Sequence, residues 1–200
     1  MINKSVRTLL ALAVLAFGTA VLSHAGNLVQ NPGFETGDFT SWTQFGDTSF
    51  NGVCDTTTCP GFGIAPYSGT YSAYFGPVGD TGGIYQDIPT VPGQTYKLDF
   101  FLALPVAGTP NSFEVQFGDA ILSLTNFPAG FPWAEFSLSD MATDTTTRLE
   151  FTFRNDPAYW LLDNVSVTTG GGTTPEPGTL VLFGSGLLGI AGVVRRKFRA

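Results

Sequence analysis

The sequence predicts an all-β protein: an antiparallel β-sandwich flanked by an N-terminal signal helix and a C-terminal single transmembrane helix. Three observations predict it. Residues 27–167 alternate apolar and polar side chains again and again, the period-two signature of strands with one buried face. No segment of that region carries a convincing helical period. Two uncharged apolar runs lie at the extremes of the chain, at residues 9–22 and 179–194.

At the front, Lys4 and Arg7 form a positive n-region, LLALAVLAFGTAVL an apolar run, and Ser23-His24-Ala25 a small-residue cleavage site. This order is that of a secretory signal peptide, residues 1–25, cut after Ala25. The competing reading is an uncleaved anchor, but the run is short for the ~20 residues that a membrane span needs.

Residues 26–167 make the sandwich domain. Strands are expected near 27–31, 41–46, 70–75 and 83–88. In TYKLDFFLAL, Tyr96, Leu98, Phe100, Leu102 and Leu104 share one face. Phe113, Val115 and Phe117 alternate with Ser112, Glu114 and Gln116, and a further strand is expected near 119–125. Ala134, Phe136 and Leu138 alternate with Glu135 and Ser137; Leu149, Phe151 and Phe153 alternate with Arg148, Glu150, Thr152 and Arg154. A last strand is expected near 159–167. Pro92-Gly93, Thr109-Pro110-Asn111, Pro128-Ala129-Gly130 and Asp156-Pro157 punctuate the series as turns. Strands at this density without helices indicate an antiparallel sandwich, and about 140 residues suffice for one core.

Cys54 and Cys59, in CDTTTCP, are the only cysteines. An exported protein meets an oxidising compartment, so a disulfide is expected. Closing so short a loop contributes roughly 2 kcal/mol in the chain-entropy model. The CxxxxC spacing argues against a redox role.

The back end has three parts. Residues 168–178, TTGGGTTPEPG, are too rich in Gly, Thr and Pro to build a core and form a linker. Residues 179–194 form an uncharged helix, about 24 Å long at ~1.5 Å per residue, slightly short for a ~30 Å hydrocarbon layer. Residues 195–200 are a basic tail, whose charge sets it on the cytoplasmic side.

Charge narrows the function. Six of nine basic residues lie at the two ends, so residues 26–174 keep three bases against fifteen acids. Such a surface repels nucleic-acid phosphates, and no nucleic-acid partner is expected. His24, the only histidine, lies in the signal. Ser-His-Asp and Cys-His catalysis and histidine-ligated zinc are thereby excluded from the mature domain. Fifteen carboxylates could contain an acid–base pair for a glycosidase, but nothing in their spacing picks out two.

Pro175-Glu176-Pro177, the apolar helix and the Arg195-Arg196-Lys197 cluster together resemble the PEP-CTERM sorting signal of exopolysaccharide-producing Gram-negative bacteria. The resemblance implies recognition by an exosortase-type processing enzyme, removal of the helix, and passage from transient inner-membrane anchoring to the cell surface or extracellular matrix. The competing reading is a permanent single-span anchor.

A second resemblance spans the domain. Asn27–Gly37 (NLVQNPGFETG), Phe39 and Trp42 open it, Tyr67–Ala73 (YSGTYSA), Tyr85–Ile88 (YQDI) and Pro92–Tyr96 (PGQTY) follow, and Trp160–Val167 (WLLDNVSV) closes it. This order is similar to the galactose-binding-like jelly rolls of bacterial carbohydrate-binding modules. The resemblance implies adjacent first and last strands, often tied by a structural calcium ion. The matching ligands are Glu35 and Asp163, completed by backbone carbonyls near Ser68 and Gly69, an oxygen set that suits calcium. The bland alternative leaves Glu35 exposed and Asp163 hydrogen-bonded to backbone amides.

For a glycan ligand, an extracellular polysaccharide, the candidate stacking residues are Trp133, Tyr85 and Trp160. Trp133 is expected on the strand face opposite Phe136 and Leu138, hence exposed; Trp42 is expected in the core. Trp160 is ambiguous, because a bulge at Asp163 would flip its face. These readings converge on an exported, non-catalytic glycan-binding protein of the cell surface or matrix. A structural adhesion protein without a ligand site fits the composition equally well.

Overall fold

The computed structural model describes residues 26–59 and 63–170. Ten strands follow in order: β1 Thr43–Gly46, β2 Asn51–Asp55, β3 Tyr71–Phe75, β4 Gly82–Pro89, β5 Thr95–Leu104, β6 Asn111–Phe117, β7 Ala120–Thr125, β8 Phe131–Met141, β9 Thr146–Asn155 and β10 Trp160–Thr169. They pair into two antiparallel five-stranded sheets, β1-β4-β9-β6-β7 and β2-β3-β10-β5-β8. No helix occurs among the described residues. The signal segment, the linker beyond Gly170, the helix at 179–194 and the basic tail lie outside them.

Alternation becomes packing directly. Leu98, Phe100, Leu102 and Leu104 of β5 face Phe113, Val115 and Phe117 of β6 and Leu149, Phe151 and Phe153 of β9, all buried. Phenylalanine rings carry the core: Phe75 stacks on Phe153 at 4.0 Å, and Phe113 lies 5.7 Å from Trp160. Trp42 joins this core and hydrogen-bonds through Nε1 to the Asn31 carbonyl at 3.1 Å.

One expectation needs correction, and one strand, β2, was not expected. Residues 27–31 form no strand, although they run beside β10, where Leu28 N donates to Val167 O at 2.9 Å. The Asn27 side chain takes the place of further ladder bonds: Nδ2 donates to Val165 O and Oδ1 accepts from Val167 N. Conversely, β2 has no legible sequence pattern. Its Gly52 is required because the Tyr74 ring of β3 lies where a Cβ would stand, and a glycine interrupts alternation.

The bulge in β10 is real and decides which residues reach the core. The register against β5 shifts between Asp163 and Ser166, and Asn164 takes φ 51°. Trp160 and Leu162 point inward before the shift, Val165 and Val167 after it. Asp163 is left on the outer side of the sheet.

Candidate functional site

The structure separates the three predicted stacking residues. Trp160 is 0 % exposed, and its Nε1 donates to Arg154 O at 3.0 Å. It offers no ring face to a sugar, because the bulge lies beyond it and leaves it inward. Trp133 stands on the outside of the second sheet and Tyr85 on the outside of the first.

The outside of the second sheet is covered only in part: Lys97 on β5 and Glu135, Ser137, Ser139 and Met141 on β8 stay exposed. A strap of residues 63–70, ahead of β3, lies against the covered part, and the loop after β2 is closed by the Cys54–Cys59 disulfide, whose Cα atoms are 5.2 Å apart. Asp55 Oδ1 inside that loop accepts from the amides and hydroxyls of Thr57 and Thr58, at 2.7 to 2.8 Å. Farther along, Trp133 Nε1 donates to Ala65 O at 2.8 Å, and Tyr67 stacks on the outward ring of Phe101 at 3.5 Å. Ser72, Leu161, Ala103 and Asp163 are buried although they face away from the core, and Asp163 is tied to the strap.

Two carboxylates hold the end of the strap. Asp163 Oδ2 accepts from Ser68 N at 3.0 Å and Oδ1 from Asn164 N at 2.6 Å. Glu35 accepts from Thr70 N at 3.0 Å and from Tyr71 N at 3.2 Å. Both carboxylates converge on Gly33, where a Cβ would stand 3.4 Å from Asp163 Oδ1 and 3.7 Å from Glu35 Oε1. Gly69 has φ +64°, and any side chain there would collide with the Glu35 carboxylate. Burial pushes the Asp163 carboxyl up to about 6, the Glu35 charge adds to the rise, and backbone amides of Ser68, Asn164 and Tyr67 pull against it. No ion pair among the described residues involves either acid. Nor is there, among the described residues, a cluster of three metal-binding side chains. Any cation here would need backbone carbonyls as well.

The outside of the first sheet is open. Register aligns Thr43, Tyr85, Glu150, Gln116 and Ile121 in one row across five strands. Tyr85 borders a pocket of about 340 Å³ shared with Gln30, Ser41, Thr43, Asp87 and Pro89. Arg148 sets its guanidinium 4.0 Å from the Tyr85 ring centroid. The same guanidinium is fixed by Asp87, Nε to Oδ1 at 2.9 Å and Nη2 to Oδ2 at 3.2 Å, a two-pronged bond that holds the Asp87 carboxyl below the usual range.

Sequence reasoning missed Gln86, which builds the pocket wall. Its Oε1 accepts from Gln30 N at 2.8 Å, and its Nε2 donates to Gln30 O at 3.1 Å and to Ser41 O at 2.9 Å. A buried amide at an inward strand position signals a side chain serving backbone groups, and that signal was readable in the alternation of β4. The pocket thus offers one aromatic ring amid hydroxyl, amide, carboxylate and guanidinium groups. That chemistry fits a polyhydroxylated ring.

A family model described as a PEP-CTERM protein-sorting motif matches residues 173–197. The match takes in Pro175, Glu176, Pro177, Arg195, Arg196 and Lys197, and the motif indicates an exported, surface-targeted protein. No curated protein matches the chain. Among solved structures, TmCBM61 in complex with β-1,4-galactotriose aligns at TM-score 0.55 and 18 % identity, over 72 % of this chain and 99 % of that one. The enzymatically active domain of bacteriophage CBA120 tailspike protein 4 aligns at TM-score 0.53 and 16 % identity, over 72 % of this chain but only 21 % of its own. The CBM22-1 xylan-binding domain of Paenibacillus barcinonensis Xyn10C gives TM-score 0.46 and 17 % identity, over 72 % and 96 %. The chain therefore carries a PEP-CTERM sorting motif behind a domain with the jelly-roll fold of carbohydrate-binding modules.

Proposed function

We propose that the protein is an exported, non-catalytic glycan-binding protein whose recognition surface is the open face of the first sheet around Tyr85. The observation that carries this reading is the Tyr85 pocket itself, an aromatic ring set among groups able to bond sugar hydroxyls. The likeness to a galactotriose-bound module supports the same reading. The acidic balance of the domain favours neutral glycans over anionic ones.

In this reading the sandwich is the functional part and residues 1–25 and 168–200 serve delivery. An exosortase-type enzyme recognises Pro175-Glu176-Pro177 while the helix at 179–194 holds the chain in the inner membrane. Cleavage then releases the sandwich to the surface or matrix, where an extracellular polysaccharide is its partner.

Calcium belongs to the same proposal, as a structural ion. Glu35 and Asp163 fit a hard cation: they are two adjacent carboxylates without a basic partner, one of them fully buried, and their amide donors leave lone pairs over. The ion would supply the positive charge that the buried Asp163 and the exposed Glu35 lack.

Glycan-array screening of the full chain in detergent, with and without calcium, tests the function. Binding to a neutral polysaccharide is expected. An array on which no glycan exceeds background would refute it.

A further inference from the structure

We infer that the corner formed by Tyr67, Phe101 and Trp133 is a second binding site for neutral pyranose rings, on the sheet opposite the Tyr85 pocket; this rests on the glycan-binding reading above. Phe101 faces outward from β5, paired between Asp163 and Glu135, while its neighbours Phe100 and Leu102 are in the core. Tyr67 lies flat on it, 14° from parallel. Stacking hides one face of the tyrosine, yet the residue remains 43 % exposed, so the other face is presented to water. Trp133 stands beside it at 66° with centroids 6.1 Å apart, making an upright wall to the tyrosine floor.

An aromatic that merely sealed the strap would be buried. This one is bare and held from several sides. Trp133 pins Ala65 and Asp163 pins Ser68, on either side of Tyr67 in sequence, while Phe101 supports it from below. A ring fixed in this way loses little freedom on binding, which is the condition for a stacking platform that gains affinity. The surrounding charge selects the ligand class. Glu135 faces Phe101 from β8, and Lys97 is already engaged by Asp99 at 2.7 Å. Among the described residues acidic sugars meet the Glu135 carboxylate and a Lys97 already paired with Asp99, whereas a neutral pyranose meets an apolar floor and acceptors for its hydroxyls.

The sheets of a sandwich pack about 10 Å apart and their outer faces point in opposite directions. A glycan strand on Tyr85 therefore does not continue to Tyr67. Two sites so placed bridge two strands, which suits a matrix component more than a single-grip lectin.

Calorimetric titration of the full chain in detergent with neutral β-1,4-linked galacto- and xylo-oligosaccharides tests this. Trp133 emission serves as a local readout, since Trp42 and Trp160 are buried. The wild type should bind two equivalents and shift its emission. Tyr67→Ala should lose one equivalent and the emission shift while the equivalent at Tyr85 stays, and Tyr67→Phe, which keeps the stack on Phe101, should keep both. Tyr85→Ala should lose the other equivalent and keep the shift. If Tyr67→Ala retains the wild-type stoichiometry and emission response, the second site is overturned and the Tyr85 pocket stands. If Tyr85→Ala loses nothing while Tyr67→Ala loses all binding, the corner stands and the Tyr85 pocket is overturned. No heat and no emission change with any oligosaccharide would overturn both.

Discussion

The Ser68 amide donates to Asp163 Oδ2 at 3.0 Å across 95 positions of sequence. That bond joins the strap to the closing strand, and it accounts for a carboxylate that is fully buried on the outer side of a sheet. Asp163 sits outward because β10 bulges, and it is dry because the strap lies over it. Glu35 does the same for Thr70 and Tyr71, so two acids organise one loop.

Two acids so close and without a base should respond to calcium. Saturation at a hundred times the dissociation constant stabilises the folded state by about 2.7 kcal/mol. Calcium is expected to raise the melting temperature, chelation to reverse the gain, and Glu35→Gln to abolish both effects. Thermal scans that superpose with calcium and with chelator would rule out the ion.

The pH dependence has a definite sign. Asp163 titrates near 6 in the fold and near the ordinary carboxylate value when unfolded. Between about pH 4 and pH 6 the unfolded chain therefore binds fewer protons, and stability falls as pH rises. Chelated protein should melt higher at pH 5 than at pH 7, and Asp163→Asn should flatten that slope. Below about pH 4 the trend reverses, because carboxyls held low, such as Asp38 by Thr40 and Thr36 and Asp87 by Arg148, lose their partners as they protonate.

Gly69→Ala should destabilise the strap by about 2 kcal/mol in urea denaturation, since it strains a positive φ and crowds the Glu35 carboxylate. Gly63 also has a positive φ but open space around it. Gly63→Ala should cost less. Equal losses at the two positions would show that Glu35 imposes nothing on the strap.

Arg148→Ala removes the guanidinium from beside Tyr85 and frees Asp87. The pair is solvent-exposed, so the change in stability should stay within about 1 kcal/mol. Glycan affinity should drop several-fold in direct binding assays, because the ring loses its support. Unchanged affinity would detach Arg148 from the site.

Much of the fold was legible because its strands obey a strict period. β5, β6 and β9 read directly from alternating phenylalanines and leucines, and the outward placement of Trp133 followed from Phe136 and Leu138. β2 was illegible because Gly52 makes room for a neighbour's ring, a long-range fact. The site was only half legible for the same reason. Tyr85 could be named from its residue type, but Gln86, Arg148 and Tyr67 acquire their roles from register and from a loop crossing a sheet. Trp160 shows the converse: the residue type suggested a ligand platform, and the position of a bulge made it core.

The most direct test of the central claim is the affinity of the full chain for the neutral glycan that binds it best, measured with Tyr85 present and with Tyr85→Ala. Loss of stacking should weaken binding at the pocket by at least tenfold, given about 1.4 kcal/mol per factor of ten, with the melting temperature unchanged. Equal affinity in the two proteins would contradict the assignment of the open face as the recognition surface.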